Sequence, residues 1–289
     1  MRNVTLENVT DVVLGSLGKH QPIEARQREI MESLIRHLHG FCRDVNLTHD
    51  EFLYACDYLA RAGHLCSDKR QEFILLADIL GVEVLVDMLS NPVSGKETAS
   101  TVLGPFFREN APVMPKGAST VQKAFEGQET VHVQGYVRDS DGKPIQGAIL
   151  DVWEDAPNGL YENHDPDQPD YNLRGRFETG ENGHYAFRAL RPVPYPIPDD
   201  ATAGELIRAM GHHTMRPGHI HVMINREGYR PLISQIYDSE SDYLDDDSVF
   251  AVKEELVGEF EKAGDGAETD LVLRFDFTLP EQAQMMAAE

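Results

Sequence analysis

The sequence predicts an α+β protein: a helical region over residues 1–100, then an antiparallel β-sandwich over residues 101–289. Three observations carry this. Apolar residues recur at helical spacing in the first hundred positions, as in Ile30, Leu34, Leu38 and Phe41. From about residue 130 the period becomes two, and Leu271, Leu273, Phe275, Phe277 and Leu279 alternate with Val272, Arg274, Asp276 and Thr278. Turn chemistry such as Asp141-Gly142 and Asn182-Gly183 punctuates the strands, and most of the gaps leave no room for a helix.

The elements follow in order. Thr48-His49-Asp50-Glu51 has the form of a capping box ahead of FLYACDYLARAG. KRQEFILLADILG reads as a helix that stops at Gly81, and VEVLVDML as a short one broken by Asn91-Pro92. VHVQGYVRD, GAILDVWED, GHYAFRAL, HIHVMI and LISQIYD read as strands. Two segments, 155–182 and 191–218, are too long for plain connections and so point to function or disorder. They carry Tyr161, Tyr171 and Tyr195, which argues against disorder. Pro192, Pro194, Pro196 and Pro198 stiffen the chain around Tyr195. The tail EQAQMMAAE is expected to fray.

Composition narrows the function classes. Of 289 residues 41% are hydrophobic and 26% charged, enough for a sizeable core. The net charge of −23 repels phosphate backbones and disfavours a nucleic-acid partner. No apolar run is long enough to span a bilayer, and the first twenty residues are unlike a secretion signal. Cys42, Cys56 and Cys66 are an odd set without C-x-x-C spacing. They are expected to be reduced thiols in the cytoplasm.

One stretch asks for chemistry. In RPGHIHVMI (216–224), an extended chain puts His219 and His221 on one face and Ile220, Val222 and Ile224 on the other. Two imidazoles on a stiff strand can hold zinc, copper, iron or nickel. They are also what two ordinary polar positions look like. A zinc hydrolase would need a further histidine or carboxylate. His212 and His213 are near in sequence but fall in a helix–loop segment. A cupin would want an earlier glutamate than Glu227, and the H-x-D form of the iron(II) facial triad is absent. Tyrosine phenolates remain as hard anionic donors that suit an oxidised metal, which must first lower a phenol pKa of about 10.

TVLGPFF (101–107), DVWEDAPNGLYE (151–162), YPIPDD (195–200) and RPGHIH (216–221) together resemble the intradiol ring-cleaving dioxygenases. The resemblance runs in order from the helical segment to about residue 278. Within the family it is nearest to hydroxyquinol 1,2-dioxygenases, with catechol and chlorocatechol 1,2-dioxygenases close by. It implies iron(III) held by Tyr161, Tyr195, His219 and His221, with water or hydroxide completing the set. A diphenol would bind as a chelating dianion and displace Tyr195, whose phenolate takes up a proton. Dioxygen would then open the ring between the hydroxylated carbons to a muconate-type diacid.

The resemblance also assigns supporting roles. Arg216 would stabilise negative charge on the ring and on oxygen, the bland alternative being a surface ion pair. Gln235 matches a glutamine behind the metal ligands. The pocket wall would come from Leu75, Asp78, Val102, Leu103, Gly104, Pro105, Phe106, Ile197 and Pro198. Asp78 sits within ILLADILG, where a carboxylate needs a partner such as a third ring hydroxyl. Two departures are Gly218 where relatives often have alanine, expected to loosen the backbone, and Asp199-Asp200-Ala201 after YPIP. The helical half is implied to form a homodimer interface and to hold phospholipid. A non-catalytic β-sandwich binding module with a helical arm stays open as the reading from another class.

Overall fold

The structure is a computed structural model that describes residues 3–67, 70–93 and 95–282. Nearly all of the tail expected to fray lies outside the described residues. The chain divides into two compact units between Arg61 and Ala62, a point inside a helix.

The first unit is helical. It holds α1 (Val9–Leu14), α2 (Ala25–Asp44) and most of α3 (His49–Leu65). The capping box forms as the sequence predicts. Thr48 N donates to Glu51 Oε2 at 2.8 Å, and Glu51 N donates to Thr48 Oγ1 at 3.3 Å. α1 is tied to α2 by Arg43, which donates to Leu6 O at 3.2 Å and to Thr10 Oγ1 at 2.8 Å. The apolar stripe of α2 is not covered within this unit: Ile30, Leu34, Leu38 and Phe41 are all exposed.

The second unit opens with α4 (Glu72–Ile79) and α5 (Val82–Ser90), split by Gly81 in the left-handed region at φ 66°. Strands follow: β1 (Thr130–Asp139), β2 (Ile149–Trp153), β3 (Arg174–Glu178), β4 (His184–Leu190) and the short β5 (Tyr195–Pro196). After α6 (Thr202–Met210) come β6 (Met215–Arg216), β7 (His219–Asn225) and β8 (Leu232–Asp238). A 3-10 turn (Glu254–Leu256) leads into β9 (Val257–Gly258), β10 (Phe260–Lys262), β11 (Leu271–Arg274) and β12 (Phe277–Leu279).

Two five-stranded sheets form the sandwich. One runs β10-β11-β1-β12 with β4 on the other edge of β1, and the other runs β3-β2-β7-β8-β9. Alternate residues from both meet in one core, including Val131, Val133, Phe187 and Leu273 from the first and Leu150, Val152, Val222 and Ile236 from the second. The sheets are mixed, which corrects the antiparallel expectation. β1 pairs β11 and β12 in parallel, and β8 pairs β9 in parallel. A period of two reports which face a side chain takes, and it is the same for both strand directions. The break between β11 and β12 has a local cause. A Cβ on Gly135 would stand 1.8 Å from Phe275 O, so only glycine lets that carbonyl in.

Candidate metal centre

β7 lies in the middle of its sheet, between β2 and β8. Ile220, Val222 and Ile224 face the core as expected, but the histidine face is buried too, with His219 and His221 at 0% and 1% exposure. The register sets Trp153 and Gln235 on either side of His221, and Tyr237 beside His219. Trp153 stacks on the His221 ring at 4.6 Å and 7°. His219 Nδ1 donates to Pro217 O at 2.8 Å, which leaves the Nε2 lone pair turned inward. His219 Nε2 and His221 Nε2 stand 3.1 Å apart.

Two tyrosines close over them. Tyr161 comes from the long β2–β3 connection and stacks on Phe106 at 4.5 Å. Tyr195 is on β5, held opposite Arg216 in a two-stranded ribbon with β6. Their hydroxyls are 3.4 Å apart, and both residues are buried. Their rings approach the histidines: Tyr195 to His219 at 5.6 Å, and Tyr161 to His221 at 6.4 Å.

Electrostatics say what this cluster suits. Burial pushes both phenols above their ordinary range, Tyr161 the further because Tyr195 lies beside it. Burial likewise pushes His219 down to about 3 and His221 well below the ordinary histidine value, so both stay neutral. Two neutral imidazoles and two phenols whose anions need a cation form a donor set for a hard, highly charged metal. The spacing agrees. Two donors about 2.1 Å from one ion at a right angle stand about 3 Å apart, as these pairs do. Tyr161, Tyr195, His219 and His221 therefore fit a ferric ion.

Arg216 is no surface residue. Its guanidinium donates through Nε to Asp247 Oδ1 at 3.0 Å and through Nη2 to Gln235 Oε1 at 3.0 Å. Nη1 lies 3.5 Å from Tyr195 Oη and 3.3 Å from His219 Nε2. Burial and the neighbouring Arg216 thus act against each other at Tyr195, the cation lowering the phenol's pKa. Gln235 is fully buried, and its Nε2 donates to Val102 O at 2.9 Å. Gly218 does not loosen the strand entry as expected. A Cβ there would stand 2.6 Å from Pro192 O, so the backbones are close-packed. His212 and His213 lie outside the cluster and face Asp246, at 3.4 and 2.9 Å.

A cavity of about 480 Å³ opens over Tyr161 and Tyr195. Of the residues expected in its wall, Leu75, Pro105, Phe106, Ile197 and Pro198 line it. Val102, Leu103, Gly104 and Asp78 do not line it. Gly104 instead lies against His221, its missing Cβ 3.6 Å from Cε1, in the left-handed region at φ +72°. Leu103 N donates to Glu83 Oε1 at 3.1 Å. Asp78 is buried on α4 with Oδ1 unpartnered among the described residues, and burial and Glu83 push its carboxyl up to about 9.

Several members of the site were not singled out from sequence. Asp247 lies in the connection that follows β8. Arg174 is buried, donating to Glu162 Oε2 at 2.6 Å and to Phe106 O at 2.8 Å, with its Cζ 5.6 Å from the Tyr161 ring. Asp155 is buried with neither side-chain oxygen bonded to another described residue, and burial pushes its carboxyl well up. An arginine that opens a strand buried at its first two positions, or a third acid in DVWED, has no periodic signature.

A buried His₂Tyr₂ cluster on a β-sandwich, with a helical N-terminal region, defines a class: the chain belongs to the intradiol ring-cleavage dioxygenase family. Residues 102–281 match the family described as "Dioxygenase", and residues 24–98 match "Catechol dioxygenase N terminus". The chain is 42% identical to a catechol 1,2-dioxygenase of Candida albicans, over 93% of this chain and 89% of that one. It is also 42% identical to a hydroxyquinol 1,2-dioxygenase of Rhizobium sp., over 84% and 82%. A solved structure of hydroxyquinol 1,2-dioxygenase from Pseudomonas putida superposes with a TM-score of 0.88 at 37% identity, covering 96% of this chain and 99% of that one. The protein is therefore an enzyme, and the binding-module alternative falls.

Proposed function

We propose that the enzyme binds one ferric ion through Tyr161, Tyr195, His219 and His221 and cleaves hydroxyquinol (1,2,4-trihydroxybenzene) between its adjacent hydroxylated carbons. One O₂ is consumed, both atoms entering the product, 3-hydroxy-cis,cis-muconate or its tautomer maleylacetate. The observation that carries the metal assignment is the meeting of two donor pairs, the histidine Nε2 atoms 3.1 Å apart and the tyrosine hydroxyls 3.4 Å apart, where the two tyrosines line the cavity. Bound there, ferric iron supplies Lewis acidity toward the diphenol oxygens and the redox centre that lets O₂ react with the ring.

The chain's own groups do the rest. Tyr195 is the phenolate suited to leave and accept a substrate proton. Its oxygen is 3.5 Å from Arg216, and a ribbon only two residues long holds it. Tyr161 is the one suited to stay, packed between Phe106 and the Arg174–Glu162 pair. Arg216, fixed by Asp247 and Gln235, presents a permanent cation to negative charge developing on the ring. Phe106, Leu75 and Ile197 exclude water over the reacting atoms.

Hydroxyquinol is favoured by the relatives named for it. Catechol and 4-chlorocatechol are the second reading, supported by the similarity to a catechol 1,2-dioxygenase. Residues 1–100 serve in this reading as a dimerisation region and 101–289 as the catalytic domain. The uncovered stripe of α2 supports a homodimer that uses these helices and offers an apolar site to phospholipid. No helix among the described residues is long and apolar enough to cross a membrane, and a cytoplasmic enzyme fits this reading.

Oxygen uptake on adding hydroxyquinol, catechol and 4-chlorocatechol in parallel, corrected for autoxidation, tests the assignment. The expected result is uptake strongest with hydroxyquinol. Faster uptake with catechol discards hydroxyquinol and keeps the iron site.

A further inference from the structure

We propose that Asp200 is a specificity-determining residue: with Arg70 it forms an ion pair at the cavity mouth that admits uncharged diphenols and disfavours those with an anionic ring substituent. The inference rests on the diphenol reading above and concerns the open end of the same cavity.

Arg70, Asp199 and Asp200 all line the cavity that ends on Tyr161 and Tyr195. Exposure orders them from mouth to floor. The side chain of Asp200 is 68% exposed and that of Arg70 26%, while both tyrosines are 2% exposed. Arg70 is fully engaged. Its Nε donates to Glu72 Oε2 at 2.7 Å, and Nη1 and Nη2 donate to the two oxygens of Asp200 at 3.1 and 3.0 Å. This two-pronged geometry is the one a guanidinium uses to recognise any carboxylate.

Glu72 fixes the pair from behind. It is buried, and its Oε1 accepts from Thr202 Oγ1 at 2.6 Å and Ala203 N at 2.9 Å. One carboxylate thus holds the arginine and caps the first turn of α6. Arg70 is therefore anchored at the mouth whether or not Asp200 is present.

The charges decide what the mouth accepts. Among the described lining residues, Arg70 is the only lysine or arginine, and Asp199 and Asp200 are the only carboxylates. With Glu72 behind and Asp199 also on the lining, this end of the cavity carries three carboxylates and one guanidinium. A ring carboxylate pointing outward meets a net negative field, and the guanidinium that could hold it is already occupied. Without Asp200, the same guanidinium turns two free N–H donors toward the cavity.

The test uses the iron-loaded full chain without oxygen, titrated by calorimetry with catechol and with 3,4-dihydroxybenzoate, which differ by one carboxylate. In Asp200→Ala the Kd ratio of benzoate to catechol should fall about five- to tenfold, the scale of one charge close by in a partly solvated site. Asp200→Asn should give part of the fall. The double variant Asp200→Ala/Arg70→Gln should return to the wild-type ratio. The fall should shrink in about 1 M salt, where the screening length is about 3 Å. An unchanged ratio in both Asp200 variants overturns the proposal, as does an equal fall in the double variant, which would mean added space. Those outcomes leave catechol binding, and so the diphenol reading, intact. Absence of catechol binding in every protein overturns both.

Discussion

At the scale of single residues, several polar groups of the site are each held by a second one. Arg216 is the clearest case: Asp247 neutralises it and Gln235 aims it. Asp247→Ala leaves a buried guanidinium without its carboxylate, a change expected to cost about 3–5 kcal/mol, measured by denaturant unfolding. Arg216→Met removes the cation beside Tyr195 and should lower kcat by about 10²–10³, with far less effect on iron content. Asp78 yields a prediction with a sign. Its carboxyl is raised to about 9 in the fold, chiefly by burial, against an ordinary value near 4. The folded state therefore keeps a proton that the unfolded chain loses as pH rises from about 4 to 9. Wild-type stability falls across that window relative to Asp78→Asn, by at most about 1.4 kcal/mol per pH unit. Melting curves of the two proteins at pH 5, 7 and 9 should diverge steadily in favour of the variant. Parallel curves would mean that the carboxyl titrates normally.

At the scale of elements, the histidine pair was legible because a strand has only two faces. H-I-H on a period of two puts both imidazoles together whatever surrounds them. The capping box at Thr48 and the stop at Gly81 were legible for the same local reason. What sequence did not show was set by long-range pairing. The parallel alignment of β1 with β11 joins residues about 140 apart, and strand direction leaves no mark in alternation. Asp247 and Asp155 come from connections, where side-chain direction follows the path of the chain and has no period, and Arg174 opens β3, whose first two residues are both buried and do not alternate. Asp78 and Val102 were placed in the cavity wall by resemblance. Neither lines it: α4 offers Leu75 to the cavity and sets Asp78 beside Glu83, and Val102 is buried with its carbonyl on Gln235. Gly135 gives a test at this scale. Gly135→Ala would drive a Cβ into Phe275 O, and the β11–β12 junction should open. The expected loss exceeds about 3 kcal/mol, the upper end for overpacking, and a shift below 1 kcal/mol would show that the junction yields freely.

At the scale of the whole molecule, two properties stand out. The net charge of −23 opposes close approach of copies, while Leu34, Leu38 and Phe41 leave an exposed apolar stripe on α2. If the helices pair in a homodimer, Leu34→Glu/Leu38→Glu should yield a monomer by sedimentation that still binds iron, because no metal ligand lies in that region. A variant that stays dimeric would place the interface elsewhere. The second is a coupling of metal to stability that the proposed iron site implies. Iron bound only by the folded chain adds RT ln(1 + [Fe]/Kd), so its removal should lower the melting temperature.

The visible absorption spectrum of the iron-loaded protein, read with its iron content, tests the central claim most directly. Phenolate coordination by Tyr161 and Tyr195 predicts a red-brown protein with one iron per chain, and a band that shifts or vanishes in Tyr161→Phe. A colourless protein at full iron occupancy, or a band untouched by that substitution, would contradict the assignment of the site.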